Sequence, residues 1–159
     1  MASTISSANL KVKITEEIIL NGKDQGSSNT LTISSINEIS TRIVTVTTTE
    51  AEILKFHATD IDAGRYIIGD VRYMRFTNLD DTNFITLTFT NEDSDEVAIK
   101  LGAGQSFIWN GDNSGGLVDV FNATEAANAA SDTALGDLTG IQADANTDSC
   151  DLEMLIASV

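Results

Sequence analysis

The fold is decided by seven residues near the middle of the chain, Phe84-Ile85-Thr86-Leu87-Thr88-Phe89-Thr90, in which large apolar side chains alternate with threonines. Successive side chains of a β-strand point to opposite faces of the sheet, so Ile85, Leu87 and Phe89 share one face and the threonines share the other. This alternation is typical of an antiparallel sheet with one buried face and one face in water. The stretch therefore predicts a half-buried β-strand.

Similar strand patterns recur along most of the chain. The clearest is Arg42–Thr49, which is rich in β-branched residues whose restricted side chains suit a pleated sheet and fit a helix poorly. Further strands are predicted at Leu10–Leu20, Thr30–Ile33, Ile53–Phe56, Arg65–Ile68, Val71–Thr77, Val97–Leu101, Gln105–Trp109, Leu117–Phe121, around Ile141 and at Asp151–Ser158. Many short strands at a spacing of roughly ten residues predict an all-β fold, specifically an antiparallel β-sandwich or jelly roll.

Local signals indicate how some of these strands connect. Asn21-Gly22 tolerates positive φ at both positions and is a strong hairpin signal after the Leu10–Leu20 strand, in which Leu10, Val12 and Ile14 share one face. We expect a second hairpin to join Val71–Thr77 to Phe84–Thr90 through an acidic turn. The apolar C-terminal strand is expected to be paired inside a sheet.

Helical signals are scarce. Asn122 is placed to cap a helix and Glu125 to reach back to it, and four alanines follow among the next residues. The segment is short and lacks a large apolar stripe, so a surface helical turn is an equal alternative. We therefore expect at most one short helix.

The length and composition predict a single globular domain over residues 1–159. Hydrophobic residues make up 42% of the chain and charged residues 21%, which is close to the globular average. The longest apolar runs, such as Ile18–Leu20, are too short to cross a bilayer, and Met1–Ile5 has neither a basic head nor an apolar signal core. We expect a soluble protein that is not secreted by the usual route.

The charge is strongly negative and unevenly distributed. Nine basic and 24 acidic residues give a net charge of −15, and residues 101–159 contain nine acidic residues and no basic one. Binding to nucleic acid requires cations that displace counterions from phosphate, and anionic membranes also repel such a surface. We expect neither partner. The acidic surface either keeps the protein in solution or docks on a basic protein.

The sequence offers little for metal or nucleophilic chemistry. Cys150 is the only cysteine, so neither an intrachain disulfide nor a paired-cysteine metal site can form, and a small buried thiol is expected. His57 is the only histidine and follows a strand, where a packing or hydrogen-bonding role is expected. No Gly-x-Ser-x-Gly or phosphate-binding glycine motif occurs. We therefore predict no catalytic, cofactor-binding or metal-ligating residues.

Three groups of carboxylates invite a functional interpretation. They are Asp60 with Asp62, Asp80 with Asp81, and Asn91–Glu96, and each resembles a glycosidase pair or a calcium site in composition. All three fall in predicted turns, where Asp and Asn bond to local backbone amides. Asn91–Glu96 is the best calcium candidate because it offers several oxygens in a short span, but it lacks the pattern of an EF-hand. A turn role is the simpler interpretation.

Aromatic residues provide a second alternative. Aromatic faces on a β-sandwich often bind sugars, and the chain has candidates for such a platform. They are Trp109, Phe107, Tyr66, Tyr73 and Phe121. Because aromatic residues are only 6% of the chain, the core is expected to require most of them.

Two segments resemble virion structural proteins of tailed bacteriophages, particularly small β-sandwich proteins of marine phages. The first is Arg72–Phe84, a strand, an acidic turn and a strand, and the second is Ala98–Phe107, which is similar to the strand–glycine turn–strand unit of many jelly rolls. The acidic, small-residue C-terminal third and the strand Asp151–Ser158 extend the resemblance. Cupin enzymes share the second unit, but their metal-binding histidines have no counterpart here.

The resemblance implies a non-enzymatic structural protein of a bacteriophage virion, made in the host cytoplasm. It implies a capsid decoration or minor head protein, or a tail component. The expected partners are other virion proteins and other copies of the chain in a symmetric homo-oligomer such as a trimer, since strand edges without proline are open to pairing. The alternatives are a carbohydrate-binding β-sandwich module at a fibre tip and a glycosidase built on paired acids.

Overall fold

Strands make up almost all the regular structure of the computed structural model, which describes residues 6–59, 64–110 and 137–159. Within these ranges the strands are β1 (Ala8–Glu16), β2 (Ile19–Leu20), β3 (Lys23–Asp24), β4 (Ser27–Ile36), β5 (Glu38–Val46), β6 (Ala51–His57), β7 (Arg65–Ile67), β8 (Val71–Asn78), β9 (Ile85–Asn91), β10 (Glu96–Leu101), β11 (Ser106–Asn110), β12 (Leu138–Ala145) and β13 (Cys150–Ser158). A 3-10 turn, Ile68–Asp70, joins β7 to β8.

Two sheets form the body of the protein. The four-stranded sheet has the order β11-β8-β13-β5, and the five-stranded sheet has the order β10-β9-β12-β6-β7. Neighbouring strands are antiparallel except β6 and β7, which are parallel. The predicted all-β sandwich is confirmed. The predicted strand at Leu117–Phe121 and the predicted helix start at Asn122 lie outside the described residues.

The pairing of the strands is nested. β5 pairs with β13, β6 with β12, β8 with β11, and β9 with β10. Strands β5, β6, β8 and β9 therefore pair with strands β10 to β13 in reverse order, as in one long hairpin that is folded into two facing sheets. This is the connectivity of a jelly roll. The last strand, β13, lies between β8 and β5, as the apolar C-terminus predicts.

The hairpin expected between Val71–Thr77 and Phe84–Thr90 is wrong. Both strands exist, as β8 and β9, but they belong to different sheets. The connection crosses the sandwich, whose sheets are roughly 10 Å apart, and a six-residue connection easily spans that distance. The alternation of apolar and polar residues fixes which face of a strand is buried, but it does not fix the partner strand.

The core lies between the sheets. Ile85, Leu87 and Phe89 are fully buried there, as the alternating pattern predicts. From the opposite sheet Phe76 meets Phe89 edge-on, with 6.3 Å between ring centroids and an interplanar angle of 83°. Phe107 and Trp109 pack against the same cluster. Burial of this kind stabilises a fold by about 1.5–3 kcal/mol for each large side chain.

A β-hairpin, which we call the arm (residues 8–36), extends from the body. β1 pairs with β4, and β2 pairs with β3 at the tip. The tip turns at Asn21 and Gly22, with φ of 51° and 75°, so the predicted Asn-Gly turn is confirmed. The base of the arm packs on the outer face of the four-stranded sheet through a second apolar cluster, which contains Leu10, Val12, Ile33, Ile36, Tyr73, Ile108, Leu155 and Ala157.

Candidate functional site

The arm carries an apolar stripe that continues beyond its anchor. Leu10 lies opposite Ile33 and Val12 lies opposite Leu31, so these side chains share one face of the hairpin. The stripe is buried at Ile33, but Leu31 is 38% exposed and Ile14 is 46% exposed. It therefore enters solvent between the anchor and the tip.

The tip of the arm is more apolar still. Ile18, Ile19 and Leu20 are 53%, 77% and 58% exposed. Leaving three consecutive large aliphatic residues in water gains nothing for a monomer, because their burial would be favourable. An exposed apolar segment of this kind is a candidate contact surface for another protein, a membrane or a ligand.

A second exposed apolar pair lies on β5, an edge strand of the four-stranded sheet. Ile39 and Ile43 are 58% and 59% exposed on the outer face, beside Ala157 and Glu153 of β13. Of the nine large apolar side chains exposed in the described ranges, seven belong to the arm or to β5. The apolar surface is therefore concentrated in two places.

Charge separates the arm from the rest of the protein. The arm contains three lysines and three acidic residues, so its net charge is zero, whereas the remaining residues contain six basic and 21 acidic ones. Lys11 and Lys13 are exposed on the face of β1 opposite the apolar stripe. The whole net charge of −15 therefore lies outside the arm.

The acidic pair Asp80 and Asp81 shapes the crossing between the sheets. Asp80 Oδ1 accepts hydrogen bonds from the backbone amides of Thr82 and Asn83, at 2.8 and 2.5 Å. These bonds hold the pKa of the Asp80 carboxyl below its usual value, because they stabilise the charged form. Asp81 accepts from the Thr82 hydroxyl at 2.9 Å. Both carboxylates therefore organise the turn, and Asp60 and Asp62 lie outside the described residues.

The calcium candidate Asn91–Glu96 also forms a turn that is closed by hydrogen bonds among its own residues, and the Glu92 amide donates to the Asp137 carbonyl at 2.8 Å. Asn91 Oδ1 accepts from the amide of Asp95 at 2.7 Å, and the amide of Ser94 donates to the Asn91 carbonyl at 3.1 Å. Ser94 has a φ of 66°, which the turn requires. Within residues 6–59, 64–110 and 137–159, no group of three or more His, Cys, Asp or Glu is arranged to hold a metal ion.

Sequence reasoning missed the most heavily bonded side chain of this region, Asn78. It is fully buried at the end of β8. Its amide nitrogen donates to the carbonyls of Asn83, Leu101 and Gly102, at 2.8, 3.2 and 3.2 Å, and its oxygen accepts from the Asp80 amide at 3.0 Å. Asn78 therefore bonds the end of β8 to the β8–β9 connection and to the start of the β10–β11 connection, and both connections run from one sheet to the other. The sequence shows only an asparagine before a turn.

Cys150 and His57 occupy structural positions. Cys150 is 1% exposed, and its Sγ donates to the Asp148 carbonyl at 3.5 Å. Burial and the nearby Asp80 and Asp148 raise the pKa of this thiol. His57 ends β6 and accepts from the Thr59 amide through Nδ1 at 3.3 Å.

We expect native Cys150 to react with a thiol-alkylating reagent at least about a hundredfold more slowly than the unfolded chain, because the thiolate is the reactive form and both burial and a raised pKa suppress it. Alkylation followed by mass spectrometry with and without denaturant measures the ratio. Equal rates in the two states would contradict the buried position of Cys150.

The aromatic candidates do not form one exposed platform. Phe107 and Trp109 pack against Phe89, with ring centroids 5.5 and 4.9 Å away, and Tyr66 lies 6.5 Å from Phe56. Tyr73 belongs to the separate cluster under the arm, where burial raises its pKa although Arg75 acts in the opposite direction. Phe121 lies outside the described residues.

Because Trp109 is only partly buried, we expect Trp109→Ala to lower the free energy of unfolding by about 2–3 kcal/mol, somewhat less than the loss of a fully buried tryptophan. Urea unfolding followed by circular dichroism measures the loss. A variant of native stability that lost binding on a glycan array would instead favour the carbohydrate-binding alternative.

Surface depressions among the described residues include one at the tip of the arm and one near residue 159. One, of about 760 Å³, lies at the tip of the arm and is lined by Glu16, Glu17, Asp24 and their neighbours. The other, of about 270 Å³, lies beside Arg65 and the C-terminal Val159. Neither is lined by Asp80, Asp81 or the Asn91–Glu96 turn, so neither supplies the cleft that a glycosidase built on those acids requires.

A scan against models of protein families finds no match, and a search of curated proteins finds no relative. In the described part of the chain, no helix has the length and apolar character needed to cross a membrane. The exposed apolar surfaces on the arm and on β5 are therefore the features on which a functional assignment depends.

Proposed function

We propose that this chain is a non-enzymatic structural protein of a bacteriophage virion, either a capsid decoration or minor head protein or a tail component, and that it acts by binding other protein chains. The observation that carries this proposal is the arm, which places a continuous apolar stripe and an apolar tip in solvent. Such surfaces on a stable β-body are typical of proteins that assemble.

The architecture supports a role in assembly. A jelly roll with a well-filled core gives a rigid body, and the arm extends from it as a separate two-stranded element. Both edges of a two-stranded hairpin are open to pairing, and a chain without proline does not block them. Body and arm together are suited to repeated contacts between identical units.

The charge supports a position away from packaged nucleic acid. A body with a large negative charge is repelled by phosphate, whereas it remains soluble when it faces outward or contacts other proteins. This surface suits the outside of a head or a contact within a tail.

Mass spectrometry of purified virions from the source tests the proposal. We expect peptides of this chain in the particle fraction, with a copy number that follows the symmetry of the structure it belongs to. A high copy number would indicate head decoration, and a low one would indicate the tail or neck. Absence from intact particles, with the chain abundant in the lysate of infected cells, would overturn the proposal.

A further inference from the structure

We propose that the arm of one copy docks on the outer face of β5 in a second copy, so that its apolar stripe and tip cover Ile39 and Ile43. The inference rests on the proposed function in that it takes assembly as the role of the arm, and it names the partner as another copy of this chain. Reciprocal contacts of this kind generate a closed, symmetric homo-oligomer.

The apolar areas match the requirement of a stable contact. The exposed large side chains of the arm and β5 together present apolar surface on the order of 600 Å². In a two-fold dimer the contact occurs twice, so complete coverage of these side chains buries up to about 1,200 Å², the lower end of the range for specific interfaces, roughly 1,200–2,000 Å². Polar groups at the rim add to this area.

The distribution of charge selects the arm as the contacting element. Two bodies that each carry the full charge of −15 repel one another, so a body-to-body contact between copies is disfavoured. The arm as a whole has no net charge, because Lys11, Lys13 and Lys23 balance Glu16, Glu17 and Asp24 at its tip. An acidic body therefore repels the arm of a neighbouring copy less than it repels a second body.

The geometry makes the contact intermolecular. The base of the arm is held on β8, β11 and β13 by Leu10 and Ile33, within a cluster that does not include Ile39 or Ile43. Glu16 lies six positions beyond Leu10 on β1, and at about 3.3 Å per residue the far end lies roughly 20 Å from this anchor. Ile39 and Ile43 are 58% and 59% exposed in the chain that carries the arm, so the arm does not cover β5 of its own chain.

Two double variants test the two sides of the contact. Ile39→Thr with Ile43→Thr alters β5, and Ile14→Thr with Leu31→Thr alters the arm. Threonine is β-branched and suits a strand, and all four positions are exposed, so we expect the fold to be retained. Val97→Thr on β10 is the matched control, because Val97 is 42% exposed on the other sheet.

Sedimentation equilibrium of the purified full chain gives the dissociation constant. We expect the wild type to self-associate at micromolar concentrations, each double variant to raise the dissociation constant at least tenfold, and Val97→Thr to leave it within about twofold. A wild type that remains monomeric at high micromolar concentration would overturn the proposal, as would double variants that associate like the wild type.

Mixing the two double variants identifies which surfaces meet. The β5 variant retains a normal arm and the arm variant retains a normal β5, so one intact contact re-forms between them. We expect the mixture to associate more tightly than either variant alone, because only the mixture contains one intact contact. If the mixture associates no more tightly than the separate variants, the arm and β5 are not each other's partners.

The outcome separates this inference from the proposed function. If the chain is found in virions but the variants sediment like the wild type, the virion role stands and the arm–β5 contact is wrong. If the contact is demonstrated but the chain is absent from virions, the contact stands and the proposed virion role is wrong.

Discussion

Replacement of Phe89 by alanine is expected to lower the free energy of unfolding by about 3–5 kcal/mol, the range for deleting a fully buried aromatic side chain. Phe89 contacts Phe76, Phe107 and Trp109, and so joins the two sheets at the centre of the sandwich. Its loss leaves a cavity between sheets that cannot easily close, because both are held by their own ladders. Urea unfolding followed by circular dichroism measures the change.

Phe84→Ala is the matched control for this substitution. Phe84 lies next to the start of the same strand but is only half-buried, with Lys100 Nζ 4.2 Å above its ring. We expect this change to cost about 1–2 kcal/mol, from partial burial and the lost cation–π contact. Equal losses for Phe84→Ala and Phe89→Ala would contradict the placement of Phe89 at the centre of the core.

Replacement of Asn78 by aspartate is expected to lower the free energy of unfolding by about 3–5 kcal/mol. The amide nitrogen that donates to the carbonyls of Asn83, Leu101 and Gly102 would become a carboxylate oxygen facing three acceptors. A buried group that loses its hydrogen bonds costs about 1–3 kcal/mol, and more when the group is charged.

Asn146→Asp is the control, because it makes the same chemical change at an exposed position. Asn146 Oδ1 accepts from the amide of Phe84 at 3.0 Å, and a carboxylate keeps that acceptor. We expect its stability to change by less than about 1 kcal/mol. Thermal melts of the two variants at neutral pH compare them directly, and an Asn78→Asp variant as stable as Asn146→Asp would exclude the proposed role of Asn78.

The sequence predicted the strands and their buried faces because those depend on local patterns. Residues Ile85, Leu87 and Phe89 alternate with threonines and are buried as expected, and Asn21-Gly22 turns the arm as expected. The sequence also predicted the shared apolar face of Leu10, Val12 and Ile14. It did not predict that Leu10 and Val12 pack on the sheet while Ile14 stays exposed.

The same local patterns of alternation and turn residues do not predict which strands pair. β8 and β9 are separated by a short acidic turn, yet each pairs with strands distant in sequence, such as β13 with β8. Which strands meet depends on how two sheets share one core, and that is a property of the whole chain. The bonding role of Asn78 was not predicted for a related reason. Its three acceptors are carbonyls that lie about five and 23–24 residues away in the sequence.

The central position of β13 determines when folding can finish. The four-stranded sheet has its second and fourth strands, β8 and β5, on either side of β13, and they do not pair with each other. Until residues 150–158 have left the ribosome, β5 has no partner strand and β8 has only β11, although local ladders such as β9–β10 and β1–β4 can form earlier. A fold with nested long-range strand pairs forms slowly, and its unpaired strand edges are prone to aggregation during synthesis. The four-stranded sheet of a newly made copy can therefore be completed only after β13 has been inserted between β8 and β5.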